Sequence, residues 1–536
     1  MVNAQEVWRL LVGGRTPEGL GGWVVLDVRG GYPVYAHAPG PALLQRTESF
    51  ESLAARLERL GRVDWVEGVL VRVSQLTAGL ATAHAIGRAL GRLADRKRVV
   101  GYLPQVDMRT LLVTARLPEV VAPAAAEVSL PGLAAEQVYV GAFLARHGIE
   151  FENLRIGEYK SALSPFSQER MDEFNREQLT VYLASAEESW LEEVAGARGI
   201  PLETARGWFD AGFSSAEQLL DAGLITRVGY DDETVTTLDP HWAQTLELVG
   251  DQFLSRRAAQ GRDGVTVVPV VGAITSGRSR PTPPLPFGAG PMAGSDTVAA
   301  ATRRADRDEH TKAIVLYVES GGGSALASDL IGRAVARCGK PVVAVMGEVA
   351  ASGGYYVLAQ ADHVVASPFT VTGSIGVVIG KPVLESFNER HGLNPEVVGR
   401  ERALWASPNK RFTDDERAWA ERVMNQVYGR FVDRVAQGRG LTAERVDEIG
   451  RGRIWSGRNA AAIGLVDELG DLRTGVDAAR QLAGLNEDAP VRALSPGFQL
   501  PGAPTLGKDA ASTLAALWPF GQERVLTWMD TSLTIR

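Results

Sequence analysis

Residues 345–356 read VMGEVAASGGYY and place one hydroxyl, Ser352, between two alanines and two glycines. A serine hydroxyl is inert at its ordinary pKa, so a nucleophile here needs a base, an oxyanion-stabilising group and a route for substrate; otherwise Ser352 is a small packing residue. The triple glycine Gly321-Gly322-Gly323, directly after the β-rich run AIVLYVES, offers the second requirement. A glycine turn after a strand brings bare N–H groups against a ligand, and the N–H of Gly353 adds another from the residue that follows the serine. Ser352 also precedes an expected helix at 354–360, whose N-terminal partial charge favours an oxyanion. Taken alone, the glycine run reads first as a tight turn.

The base is harder to find. A Ser-His-Asp triad needs a histidine, and none of the seven (His37, His84, His147, His241, His310, His363, His391) has a persuasive context. A lysine serves when it is desolvated enough to be neutral near pH 7. Lys160 lies in RIGEYKSALSPF, among Tyr159, Ala162, Leu163 and Phe166. By composition alone a lysine after Glu-Tyr is a solvated charge, and the residues by themselves leave the base open.

The elements that must position these groups are written twice. ARLPEVVA at 115–122 matches AQADHVVA at 359–366 with an offset of 244, which also places Arg146-His147-Gly148 on Arg390-His391-Gly392. Ile86-Gly87-Arg88-Ala89 likewise resembles Ile331-Gly332-Arg333-Ala334, and Ala222-Gly223-Leu224-Ile225 resembles Ile463-Gly464-Leu465-Val466. Two copies of one domain, roughly 20–240 and 262–475, follow. With this offset Ser352 falls on Met108, Gly353-Gly354 on Arg109-Thr110, and the triple glycine on the Leu76-Thr77-Ala78 region. Copy one lacks the hydroxyl and the glycine turn together, which suggests that the two work together. His147 and His391, being repeat-equivalent, read as structural.

In copy two, Val265–Ile274, Ala313–Val318 and Val342–Val345 read as strands, while Ser324–Arg337 and Asp414–Gln437 carry helical spacing of apolar residues. The alternation predicts an α/β fold with mostly parallel sheets flanked by helices. We place an N-terminal repeat at 1–250, a C-terminal repeat at 251–490, and a linker with an amphipathic appendix at 491–536. The proline- and glycine-rich segment 276–296 reads as a mobile excursion that could gate a site. Leu517 through Trp528 reads as a stretch docked on its own domain, with a membrane interface as the other option.

A chain of 536 residues, 45% hydrophobic, fills at least two cores. The net charge of −8, with both signs interspersed, offers no basic stripe for nucleic acid. One cysteine, Cys338, excludes an internal disulfide and a thiolate metal cluster. No signal-peptide core and no uncharged apolar window of about 18 residues occurs. A soluble cytoplasmic chain, or one peripheral at the cytoplasmic membrane, is expected.

Three stretches, VESGGGSALAS at 318–328, GEVAASGGYYVLAQADHVVASPFTVTGSIGV at 347–377 and GEYKSALSPF at 157–166, resemble the long, duplicated form of signal peptide peptidase A. That family consists of bacterial serine proteases with a Clp-protease/crotonase-like fold. The resemblance implies that the second copy supplies the nucleophile, Ser352, and the first a lysine general base, Lys160. It also implies that Ser374, in Thr372-Gly373-Ser374-Ile375-Gly376, orients the lysine amine, and that Gly353 with Gly322 or Gly323 forms the oxyanion hole. The site would be assembled from both copies, with no cofactor and no metal. The expected assembly is a homotetramer, and the expected substrates are cleaved signal peptides or other short hydrophobic peptides. Two departures from the family are expected: Gly321 stands where a proline is usual after Ser320, and the sequence reads as lacking the N-terminal membrane anchor of many members. The competing readings are a crotonase-type acyl-CoA enzyme, which would place a carboxylate at the reacting carbon, and a non-catalytic scaffold of the same fold.

Overall fold

Short runs of β-branched residues alternating with longer helical ones require crossover connections, and therefore parallel strands. The computed structural model describes residues 22–34, 48–233, 261–280, 291–494, 525–529 and 534–535. These residues form two compact units, Met1–Leu133 with Ala186–Arg262 and Ala134–Ser185 with Asp263–Arg536.

In the first unit, strands β1 (Trp23–Gly30), β2 (Gly68–Leu76), β3 (Arg98–Tyr102) and β4 (Glu119–Ala122) pair in that order, all parallel, with Arg227–Val228 beyond β4. Helices α1 (Phe50–Arg62), α2 (Leu80–Ala94) and α3 (Met108–Thr114) connect them. Val69, Leu70, Val71 and Val73 of β2 are all buried, so both faces of the sheet are covered.

The second unit includes β5 (Glu150–Arg155) and the first part of α4 (Glu173–Arg198), the helix in which the boundary between the units falls. It continues through β6 (Gly264–Val271), β7 (Ala273–Thr275), β8 (Met292–Gly294), α5 (Ser295–Arg307), β9 (Thr311–Ser320), β10 (Gly322–Ser324) and α6 (Ala325–Ala336). Next come β11 (Val342–Ala351), α7 (Gly353–Leu358), β12 (His363–Ala366), β13 (Val371–Gly373), β14 (Val378–Val383), α8 (Asp414–Arg439), β15 (Ile454–Ser456), β16 (Val491–Ala493) and β17 (Val525–Trp528).

Its main sheet runs β15-β13-β11-β9-β6-β16, with β12 also on β11; of these pairs only β13 with β15 is antiparallel. The series β6-α5-β9-α6-β11-α7-β12 repeats β1-α1-β2-α2-β3-α3-β4, and α1 and α5 have the same length of 13 residues. The duplication read from the sequence is therefore a duplication of fold, in the expected mixed α/β class. A second sheet, in the order β8-β7-β10-β17-β14-β5, carries the glycine turn in β10.

Two boundaries differ from the sequence reading. The strand expected at Val342–Val345 continues to Ala351, because beyond Met346 it shifts from β12 to a new parallel partner, β13. The single strand expected at Val265–Ile274 breaks into β6 and β7 at Gly272, which has φ +88 and carries the chain from one sheet into the other. The helix α8 has the expected start, a capping box between Thr413 and Glu416, and ends at left-handed Gly440 with φ +63. Of the 276–296 segment, residues 281–290 lie outside the described residues, as does the 495–524 part of the C-terminal linker and appendix. Among the described residues no helix is long and apolar enough to cross a membrane.

Helix α8 passes close to Ala359, which closes α7: a Cβ on Gly438 would sit 2.0 Å from the Ala359 carbonyl oxygen. Gly438→Ala should therefore destabilise the chain by about 1–3 kcal/mol in urea denaturation, the range for overpacking a close contact. Gly429→Ala on the same helix, where nothing lies within 4 Å of the added carbon, should not.

Candidate active site

Strand β11 delivers Ser352, and α7 begins at the next residue. The turn between them is tight: Ser352 has φ +54 and ψ −116, a left-handed conformation that strains a residue with a Cβ. Three contacts hold it there. Ser352 N–H donates to Gly373 O at 2.8 Å, Tyr356 N–H donates to Ser352 O at 2.8 Å, and Gly354 is pressed so closely on Ser320 that a Cβ would lie 2.3 Å from its carbonyl oxygen. The Ser352 side chain makes no capping bond to α7, so its hydroxyl is free to point elsewhere. A strained strand–serine–helix turn of this kind presents a nucleophile.

Copy one solves the same corner without strain. There Asp107 caps α3 with φ −134 through a capping box with Thr110, and Met108, at the Ser352 position, is buried with its carbonyl accepting from Trp190 Nε1 at 2.8 Å.

The Ser352 hydroxyl meets Lys160, whose Nζ lies 2.6 Å from Ser352 Oγ, 3.0 Å from Ser374 Oγ and 3.0 Å from the Ser374 carbonyl oxygen. All three residues are buried, with Lys160 only 1% exposed. Loss of solvation holds the amine well below the ordinary lysine value. When the amine is uncharged, the Ser374 carbonyl and Ser374 Oγ can accept its two N–H groups, which leaves the lone pair for the Ser352 O–H. Ser374 is itself held at φ +50, its N–H donating to Arg453 O at 2.7 Å.

The lysine loop is fixed from several sides. Tyr159 N–H donates to Arg451 O, Gln178 Nε2 donates to Tyr159 O at 3.1 Å, and the Arg453 guanidinium stacks on the Tyr159 ring. Gly452, with φ +84, packs against Lys160 so closely that a Cβ would fall 2.5 Å from the lysine Cβ. Lys160 and Ser352 belong to the same compact unit, since residues 134–185 pack with the second copy.

The glycines divide. Gly353, as the first residue of α7, has an N–H without an intrahelical partner. Gly322 N–H donates to Ser320 Oγ at 3.1 Å, and that hydroxyl donates in turn to Gly272 O at 2.6 Å. Gly323, in register with Ile274 and Thr527, is part of the second sheet. Gly322 at φ +96 and Gly323 at φ +154 occupy backbone conformations open to glycine and few other residues.

The histidines are occupied elsewhere. His147 and His391 make the same local contact, Nδ1 donating to the carbonyl four residues back (Phe143 at 2.9 Å, Phe387 at 2.7 Å). His84 approaches Glu193, His310 approaches Asp263, and His363 Nε2 lies 3.0 Å from Glu468. His37 and His241 lie outside the described residues. Among the described residues no cluster of His, Cys, Asp and Glu could hold a metal ion. Sequence reading missed Gly452, Ser320 and the Ser374 carbonyl; the glycine after Arg451 was the one visible signal for the first.

A two-copy α/β chain with a buried serine–lysine pair is thus in view. The chain belongs to Peptidase family S49, which matches it twice, over residues 92–244 and 334–486. It is 30% identical over 435 residues to the chloroplastic serine protease SPPA of Arabidopsis thaliana, covering 78% of this chain and 64% of that protein. It is 31% identical to Protease 4 of Salmonella typhi over 67% of this chain and 60% of that protein, and 27% identical to Protease 4 of Haemophilus influenzae over 78% and 70%. It therefore spans somewhat under two thirds of the first two of these relatives. Among solved structures, a ClpP1 mutant from Listeria monocytogenes aligns over 42% of this chain and 99% of its own, at 14% identity and a TM-score of 0.26.

The buried amine has a measurable signature. A lysine whose folded pKa is depressed binds fewer protons when folded than when unfolded, so its penalty is largest at low pH and fades as pH rises toward the unfolded value near 10.5. Replacing Lys160 with Met removes that penalty. The stability difference between Lys160→Met and the parent should shift in favour of the parent as pH rises toward 10.5, with a slope of at most about 1.4 kcal/mol per pH unit. Parallel urea titrations at several pH values measure it.

Proposed function

We propose that this chain is a serine endopeptidase with a Ser-Lys dyad, in which Ser352 is the nucleophile and Lys160 the general base. The observation that carries the reading is the 2.6 Å approach of a fully buried lysine amine to a serine hydroxyl in a strained strand–helix turn. Lys160 takes the Ser352 proton as Oγ attacks a peptide carbonyl, and the N–H of Gly353 faces the oxygen that becomes negative. The second oxyanion donor is Gly322 or Gly323; for Gly322 this requires its N–H to turn from Ser320 Oγ toward the substrate. The protonated lysine then gives its proton to the leaving amine, and water attacks the acyl-enzyme by the same route in reverse. Ser374 is a positioning residue: its two oxygens aim the amine at Ser352.

The proposed substrates are cleaved signal peptides or other short hydrophobic peptides, in keeping with the apolar cluster of Val378 with Ala162 and Leu163, which follow the lysine in sequence. The proposed assembly is a homotetramer. The crotonase alternative loses its main support, because burial, with no carboxylate partner, accounts for the lysine shift and no acidic side chain contacts the Ser352 hydroxyl among the described bonds.

With a hydrophobic fluorogenic peptide, Ser352→Ala should reduce turnover to background and Lys160→Ala should lower kcat/KM by ~10²–10⁴-fold. Ser374→Ala should lower kcat by a smaller factor with KM little changed. The acid limb of kcat/KM should rise with pH and level off at an apparent pKa well below 10.5, as a base that works only when neutral requires. Turnover unaffected by both dyad substitutions would contradict the assignment. Light scattering of the purified chain should return four times the chain mass.

A further inference from the structure

Helices α5 and α6 pack side by side in the second unit and enclose a groove of about 440 Å³. Four arginines line it, Arg303 and Arg307 from α5 and Arg333 and Arg337 from α6, the members of each pair one turn apart. All four are exposed, and none makes an ion pair or a side-chain hydrogen bond among the described residues. Elsewhere the chain pairs helical arginines with a carboxylate about one turn away, as in Arg62 with Glu58, Arg445 with Glu448 and Arg473 with Asp477. Here the residue one turn away is another arginine, and like charges at that spacing repel.

Two acids share the groove. Asp306 is engaged, its Oδ1 accepting from the N–H groups of Gly339 at 2.9 Å and Lys340 at 3.2 Å, and Asp296 stands at the other end, in the first turn of α5. The groove is therefore basic in a chain whose net charge is −8. A basic residue in a last turn offsets the helix macrodipole, and Arg304, outside the groove, already does so for α5.

Helix α6 connects this groove to the candidate site. Leu326, Leu330, Arg333 and Arg337 recur at intervals of four, three and four residues and so share one face of the helix. Leu326 is 60% exposed and Leu330 41%, so the stripe has an apolar half and a basic half. The apolar half lies nearer Ser352. Ser324, the last residue of β10, caps α6 by accepting from Ala327 N–H at 3.1 Å, and a Cβ on Gly353 would fall 2.6 Å from Ser328 Oγ. From Leu326 to Arg337 the stripe measures about 16 Å, the reach of about five residues of extended chain.

We propose that this stripe and groove are an exosite for the far end of a substrate peptide, taking apolar side chains over Leu326 and Leu330 and carboxylates between the four arginines. The ligand class is an extended peptide in which an apolar stretch is followed, about five residues on, by acidic residues. The arginines converge on a concavity instead of spreading over a plane, which suits a single chain better than a lipid surface. A basic extension is repelled. The inference deepens the proposed peptidase activity and rests on it for any effect on turnover, whereas the effect on binding rests on the groove alone.

The binding test uses the full-length Ser352→Ala variant and fluorescently labelled peptides that share one apolar stretch and end in three glutamates or three lysines. By anisotropy at low salt the glutamate peptide should bind about tenfold more tightly, the combined effect of several exposed ion pairs, and the advantage should shrink in about 0.5 M sodium chloride. Adding Arg333→Glu and Arg337→Glu should reverse the preference toward the lysine peptide, a gain that misfolding cannot produce. Moving the glutamates directly beside the apolar stretch should weaken binding severalfold. Equal affinities for the two peptides, or a glutamate preference that survives the charge reversal, overturns the exosite.

Two further outcomes assign the groove to another occupant and likewise overturn the proposal. One is binding to phosphatidylglycerol vesicles that the charge reversal abolishes, with no preference among peptides. The other is a change of oligomer mass on charge reversal, again with no preference among peptides. Turnover of the glutamate peptide by the chain with Ser352 intact separates the two readings: binding as described without any cleavage overturns the dyad and leaves the exosite standing.

Discussion

A buried lysine amine with three oxygen atoms within 3.0 Å of it is the constraint on which the second unit is built. Burial makes the charged form unfavourable, and Ser374, with a carbonyl that only accepts and a hydroxyl beside it, leaves the neutral amine one direction for its lone pair. That direction is Ser352. A pair formed this way needs no histidine and no acid to orient it, but it tolerates little displacement, because an amine that reaches water becomes an ordinary ammonium.

The surrounding architecture can be understood as the means of preventing that displacement. Three parallel strands bring Ser320, Ser352 and Gly373 to one end of the main sheet, and the ladders from β9 to β11 to β13 set their spacing. Residues in positive φ recur at the places where the chain must turn abruptly toward the site: Ser352, Gly373, Ser374 and Gly452. Each is strained or restricted to glycine, and each is held by a named backbone bond or a close contact. The first unit preserves the strand and helix order but has Asp107 and Met108 at the corner, with an ordinary cap and a packed thioether in place of strain and a hydroxyl. The two copies therefore separate what the fold requires from what the chemistry requires.

Much of this was legible in the residues. The 244-residue repeat, the α/β alternation and the joint loss of the serine and its glycines from copy one can all be read without coordinates, because periodicity and turn chemistry are local properties. Lys160 was not legible in that way. Nothing local distinguishes a buried lysine from a solvated one, and it is the packing of residues 134–185 with the second unit that removes it from water; only the family resemblance pointed to it. For the 517–528 stretch, docking on its own domain was expected but the strand at Val525–Trp528 was not, because it owes its conformation to β10 and β14, some 150 to 200 residues earlier. The engagement of Gly322 by Ser320 is likewise a product of tertiary geometry.

The central claim is that the Lys160 amine is neutral at the pH of catalysis. The chain contains seven lysines, so uniform ¹⁵N labelling of lysine side chains with a Lys160→Met assignment control gives a resolvable NMR titration. The account predicts that the Lys160 ε-amine, identified by the loss of its signal in the control, gives up its proton well below the ordinary lysine value near 10.5. An ε-ammonium at Lys160 that persists through pH 9, titrating with the exposed lysines, would contradict it.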